Sequence, residues 1–217
     1  SLRTTPELSF AVRNLNTIAG IVITASHNPP EYNGYKVYWS DGGQVCPDIA
    51  NEIIQEVNKI EDYSKIPTTR FGDNLIQILN NRVDEEFINA VKEQIMNQDI
   101  IDRVGDKIKI IYTPIHGTGN IPVRQVLKQA GFKNVEVVKE QELPDSNFST
   151  VEYPNPEEKA VFEIAINMAK ESGADIILGT DPDCDRVGVV VKNNEGEYVV
   201  LNGNQVGSLL VDYVISN

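Results

Sequence analysis

The sequence predicts an α/β protein made of layered α/β/α domains with mixed sheets, on three observations. Residues 107–178 alternate strand, helix, strand, helix and strand, the order from which helix-covered parallel sheets are built. Residues 187–201 read as a hairpin, so the sheet is not purely parallel. The loops after the first and third strands of this unit are rich in glycine and in aspartate, and open α/β sheets bind ligands at the C-terminal ends of their strands.

Taken in order, Thr5-Pro6-Glu7 is a helix start. Thr5 can cap, Pro6 suits the first turn and Glu7 complements the positive helix end. Leu8, Val12 and Leu15 continue one apolar stripe. Residues 20–24 predict a buried strand, 26–34 a polar loop with two prolines, and 35–39 a second strand closed by the Asp41-Gly42 turn. Apolar side chains at Ile49, Ile53, Ile54, Val57 and Ile60 predict a helix over 48–60. Phe87, Ile88, Val91 and Ile95 predict another over 84–97. A new unit begins near Lys107, with a strand over 107–112 and a Gly-rich loop over 114–120. A helix over 122–130 is stopped by Gly131, and a strand over 135–138 leads into a long loop with three prolines. A helix over 157–171 is stopped by Gly173 and followed by a strand over 175–178 and the loop 180–186. Strands over 187–191 and 197–201 pair across 193–196, and a last helix covers 204–215.

The 217 residues suffice for one large or two small domains, and 41% hydrophobic with 24% charged residues is an ordinary globular composition. The net charge of −13 argues against nucleic acid or an anionic membrane as partner, since both need a basic footprint. An anion site here has to be built locally, from a metal ion, backbone N–H groups and a few Lys or Arg. No apolar run is long enough for a membrane span. Cys46 and Cys184 show no metal-type spacing and fit a reducing cytoplasm, the expected location. There is no G-x-G-x-x-G and no Walker loop, so no motif supports a nucleotide site.

Two loops carry candidate chemistry. In Thr24-Ala25-Ser26-His27-Asn28-Pro29-Pro30 a strand ends and a serine is presented at its edge. The same composition also makes an ordinary turn, and the surroundings are not those of a hydrolase elbow. In Asp181-Pro182-Asp183-Cys184-Asp185-Arg186, three carboxylates at alternate positions of an extended loop can converge on one centre. Unpaired, they repel; a hard divalent cation removes that cost. A solvated acidic turn is the plain alternative. A calcium loop fails at two positions, where Arg186 and Lys192 replace the required Gly and Glu. Cys184, a soft ligand between hard ones, reads as a spacer.

Together these loops closely resemble the alpha-D-phosphohexomutase family of phosphoglucomutases and phosphomannomutases. Residues 20–39, GIVITASHNPPEYNGYKVYW, are similar to its phosphoserine loop and following strand. Residues 179–186, GTDPDCDR, are similar to its metal loop. The resemblance runs over essentially the whole chain. It implies phosphohexomutase-type domains: the C-terminal part of a first domain over 1–104, a second domain over 105–201, and the start of a third over 202–217. It implies that Ser26 carries a phosphoryl group and that Asp181, Asp183 and Asp185 hold Mg²⁺ together with a Ser26 phosphate oxygen. Lys36 is then implicated in acid–base work on the sugar hydroxyl, Arg186 in contacting phosphate, and His27 and Asn28 in holding the serine loop. The implied partners are a phosphosugar such as glucose 1-phosphate and a sugar bisphosphate, with residues 35–39 most like the glucose and pentose phosphate branch. Thr113-Pro114-Ile115-His116-Gly117-Thr118-Gly119 is similar to a family loop near the cleft between domains, and its glycines permit close backbone approach; His116 is as consistent with a structural role as with a catalytic one.

The family's sugar-reading Gly-Glu-x-Ser-Gly loop and phosphate-gripping Ser/Thr/Arg loop do not occur. The chain is thus expected to be an internal portion of such an enzyme, unable to complete turnover by itself. Two rivals stay open: a Mg-dependent phosphatase with Asp181 as nucleophile, and a non-catalytic binding module.

Overall fold

The computed structural model describes residues 2–70, 72–79 and 81–217. Helix α1 (Thr5–Asn14) has Pro6 in its first turn, and its cap is Thr4, whose side chain accepts the Glu7 N–H. This corrects the expectation that Thr5 caps. Thr5 is the first helical residue, and its hydroxyl is free to bond elsewhere. Strands β1 (Ala19–Ile23) and β2 (Tyr35–Trp39) form an antiparallel pair in which Val22 faces Lys36 and Ile23 faces Tyr35. α1 lies on one face of the pair. The other face is open, with Ile21 64% and Ile23 75% exposed, so β1 is not the buried strand its apolar run predicts. Alternation puts every second residue on the uncovered side.

Helix α2 (Pro47–Asn58) forms where its period predicts one, but it buries none of its residues fully. The predicted helix over 84–97 begins two residues earlier and ends five residues sooner. Helix α3 (Arg82–Lys92) ends, a turn intervenes, and a separate helix α4 (Gln98–Val104), absent from the sequence reading, follows. α3 packs against α1, and Arg3 ties the two with a bidentate bond to Asp84, both N–H···O distances 2.7 Å.

The second unit holds a five-stranded mixed sheet. Its strands are β3 (Lys109–Thr113), β4 (Asn134–Val137), β5 (Ile176–Thr180), β6 (Val187–Lys192) and β7 (Tyr198–Leu201), in the order β4-β3-β5-β6-β7. β4, β3 and β5 run parallel; β6 and β7 are antiparallel, as the hairpin predicts. The helices between the parallel strands are α5 (Asn120–Ala130) and α6 (Glu163–Ser172), the latter preceded by a 3-10 turn, Lys159–Phe162, where a single helix over 157–171 is predicted. From β3 the chain steps outward to β4, then returns past β3 to β5. Right-handed crossovers in opposite directions place their helices on opposite faces. The α6 face holds the main core of Ile111, Val161, Phe162, Ala165, Ala169, Ile177 and Val190. Phe162 lies over Gly179 and Gly188, directly paired across β5 and β6. A Cβ on Gly179 would stand 2.6 Å from the ring, so these strands accept the aromatic only because both positions lack side chains. Helix α7 (Gly203–Ser216) starts with a full capping box, Asn202 with Gln205, and leaves Leu209, Leu210, Val211, Val214 and Ile215 exposed.

Candidate active site

Ser26 and Lys36 lie at one end of the β1-β2 hairpin. The loop between the strands is closed by the Thr24 N–H donating to the Gly34 carbonyl at 3.0 Å, so Lys36 is only two residues past its far side. Ser26 is held at φ 55°, in the left-handed region, with its N–H donating to Thr24 Oγ1 at 2.8 Å. A non-glycine residue pays strain there and persists only where the surroundings hold it.

The acidic loop leaves the C-terminal end of β5. The loop Pro114 to Gly119 leaves the end of its parallel neighbour β3, so the topology brings both to one sheet edge. The acidic loop is a tight turn and not the extended segment expected. The Cys184 N–H donates to the Asp181 carbonyl at 2.9 Å, and Cys184 has φ 59°. That turn draws oxygens of Asp181, Asp183 and Asp185 within 4.8 Å of one another. The Cys184 thiol packs beside Gly119, and burial pushes it up to about 12.

The Gly-rich loop buttresses this turn. Thr118 donates to the Pro182 carbonyl from its N–H at 2.8 Å and its hydroxyl at 3.0 Å. A Cβ on Gly117 would stand 2.5 Å from Pro182 Cα, so only glycine permits the approach. His116, 6% exposed, is spent on structure: Nδ1 donates to the Leu143 carbonyl at 3.0 Å and Nε2 lies 2.8 Å from Thr150 Oγ1.

The two loops meet. Ser26 Oγ is 3.2 Å from Asp183 Oδ1 and 3.4 Å from Asp181 Oδ2, across more than 150 residues of sequence. Lys36 Nζ donates to Asp183 Oδ2 at 2.8 Å and to Asp185 Oδ2 at 2.7 Å. His27 Nδ1 lies 3.2 Å from Ser26 Oγ. Asn28 is exposed and bonds back to the Ala25 carbonyl at 2.9 Å, holding the loop without reaching the carboxylates. The Arg186 N–H donates to Asp181 Oδ1 at 3.0 Å, and its side chain is exposed beside the cluster. Sequence reasoning missed Thr5, whose hydroxyl donates to Asp183 Oδ2 and whose N–H donates to the Asp183 carbonyl, both at 2.9 Å. Nothing within a few residues of Thr5 signals a partner 178 positions away.

The electrostatics follow from crowding acids in a partly buried turn. Asp181 is fully buried; burial first, then repulsion from Asp183, pushes its carboxyl up to about 7. Burial also works against Asp183, but hydrogen bonds from Lys36, Asp181 and Thr5 outweigh it and hold this carboxyl below its usual range. Burial disfavours the Lys36 charge, yet its bonds to Asp183 and Asp185 win and keep it an ammonium. His27 is held down by burial and by the charge of Arg186, so it is neutral near pH 7. The cluster offers hard oxygen ligands whose mutual repulsion a cation would relieve, and this donor set fits Mg²⁺.

Fold and site define a layered α/β protein that presents a serine to three clustered carboxylates. The sequence profile of the phosphoglucomutase/phosphomannomutase alpha/beta/alpha domain I matches residues 1–64, and that of domain II matches residues 85–196. The chain belongs to the phosphoglucomutase/phosphomannomutase family. It is 39% identical over 215 residues to phosphoglucomutases of Staphylococcus aureus strains MRSA252 and N315, a span that takes in 98% of this chain and 38% of each relative. Among solved structures, a Thermus thermophilus protein assigned as a phosphomannomutase superposes with a TM-score of 0.76 at 27% identity, over 100% of this chain and 45% of that one. A phosphoglucomutase/phosphomannomutase family protein from Burkholderia thailandensis shares the fold with a TM-score of 0.64 at 22% identity, over 91% of this chain and 40% of that one.

Proposed function

We propose that this chain carries the phosphoryl-transfer centre of a phosphosugar mutase, an enzyme that moves phosphate between hydroxyls of one sugar through a sugar bisphosphate. One observation carries the reading: the Ser26 hydroxyl stands 3.2–3.4 Å from two members of a carboxylate cluster contributed by the other unit of the fold. Relatedness to the S. aureus phosphoglucomutases supports glucose 1-phosphate or a related phosphosugar as substrate. The chain is read as part of a first domain over 1–104, a second over 105–201 and the start of a third over 202–217.

Ser26 is the phosphoryl carrier. In the transfer its Oγ–P bond breaks, a P–O bond forms to a sugar hydroxyl, and that hydroxyl's proton leaves. His27 Nδ1, 3.2 Å away, bonds the Ser26 oxygen and orients it. Lys36, a bound ammonium in this arrangement, can give its proton to the departing Oγ once it is released from Asp183 and Asp185, and as the resulting amine take up the proton of the sugar hydroxyl. Arg186, exposed beside the loop, meets the phosphate, and Asn28 holds the serine turn. Asp181, Asp183 and Asp185, with a phosphoserine oxygen, would hold Mg²⁺, whose charge counters that of the group in transfer.

The phosphatase alternative needs Asp181 as nucleophile. Asp181 is fully buried, with Oδ1 accepting N–H bonds from Asp185 and Arg186 and Oδ2 facing Ser26, which leaves Ser26 the more accessible of the two to phosphorus. The test is intact mass and peptide mapping after incubation with glucose 1,6-bisphosphate and Mg²⁺. A gain of about 80 Da mapping to Ser26, and absent from Ser26→Ala, is expected. Phosphate on Asp181, or none, refutes the proposal.

A further inference from the structure

The geometry points to Thr5 as a positioning residue for the cation site. This inference rests on the proposed role of Asp183 as a ligand. Thr5 makes two bonds to one residue: its hydroxyl donates to Asp183 Oδ2 and its N–H to the Asp183 carbonyl, each at 2.9 Å. Both residues are nearly inaccessible, at 2% and 3% exposure, so these bonds face little competition from water. The backbone bond sets the height of the acidic turn, and the hydroxyl bond holds the rotamer of its middle carboxylate together with Lys36, which reaches the same Oδ2 at 2.8 Å.

Thr5 is available for this because Thr4 does the capping. As the first helical residue its N–H has no partner within the helix and points outward, and Asp183 takes that donor. The same helix carries the serine loop. Leu8 and Val12 of α1 sit against Gly20 of β1, where a Cβ would stand 2.5 Å from Val12. β1 then runs into Ser26. Thr5 therefore joins two functions through one rigid element: it orients Asp183 and fixes how far Ser26 stands from the carboxylates. Partners that orient a ligating carboxylate are typically worth about 10- to 100-fold in metal affinity.

The experiment measures Mn²⁺ affinity of the 217-residue chain by EPR, with Mn²⁺ as a paramagnetic hard cation. Thr5→Val and Thr5→Ala, which lack the hydroxyl, should bind about 10-fold more weakly. Thr5→Ser, which keeps it, should stay within about 2-fold of the wild type. Thr4→Ala serves as the control. It removes the helix cap and lowers thermal stability while leaving both bonds to Asp183, and should retain wild-type affinity. Wild-type affinity in Thr5→Val or Thr5→Ala overturns the inference and leaves the cation site standing. So does an equal loss in Thr4→Ala, which would trace the effect to helix stability. If the wild type itself binds no Mn²⁺, the cation site and the inference fall together.

Discussion

Replacing Lys36 by Met removes an ammonium that stands 2.8 Å from Asp183 and 2.7 Å from Asp185 while keeping an unbranched chain of similar length. In the absence of cations the acidic cluster then loses its compensating charge. Breaking a fully buried ion pair costs about 3–5 kcal/mol. Here the Lys36 side chain keeps 19% of its accessibility and that of Asp185 30%, so the loss should fall near 2–3 kcal/mol. For a chain of this size that is a drop of about 5–10 °C in Tm in EDTA. Saturating Mg²⁺ should reverse much of it. In the wild type an entering cation must first displace Lys36; in Lys36→Met it meets no such competitor and binds about 10-fold more tightly, which adds about 1.4 kcal/mol to the stabilisation. Calorimetric unfolding of both proteins in EDTA and in Mg²⁺ gives the four values required. An unchanged Tm in EDTA, or a smaller Mg²⁺ response in Lys36→Met than in the wild type, would refute the reasoning.

Two further predictions concern the acidic turn. Asp181 titrates near 7 in the fold and near 3.8 when unfolded; between these values the native chain binds more protons than the unfolded one, so this residue lowers stability as pH rises. Asp181→Asn, whose amide can still accept from the Asp185 and Arg186 N–H groups, should therefore gain about 1–3 kcal/mol at pH 8 in EDTA and lose the Mg²⁺ response, by denaturant titration. Gly117→Ala drives a Cβ into the Pro182 backbone and should cost about 1–3 kcal/mol while weakening Mn²⁺ binding; Gly207→Ala in α7, where a Cβ meets nothing within 4 Å, should leave stability unchanged or raised by about 1 kcal/mol or less.

Much of this protein is written locally. Strands β1 and β2, the β6-β7 hairpin, α5 and its stop at Gly131, and the acidic loop at the end of β5 follow from apolar period and turn chemistry, which act over a few residues. The serine loop is different: by composition it is equally an ordinary turn, and resemblance to a family is what singled out Ser26. The end of α3 at Lys92 was not legible, because the apolar period runs on to Ile95, past the point where the helix ends.

Tertiary structure decided which partners the side chains find. Two adjacent threonines are equal in sequence, yet Thr4 caps the helix and Thr5 turns to Asp183, because the acidic turn of the other unit lies at that helix end. Residue type made Lys36 a candidate; the meeting of two loops made it the counter-ion of Asp183 and Asp185. Spacing offered three aspartates, but a left-handed residue at Cys184 and a glycine contact from the neighbouring strand's loop brought their oxygens together. Hydrogen bonds and charge act over a few ångströms of space, and the sequence records distance only along the chain.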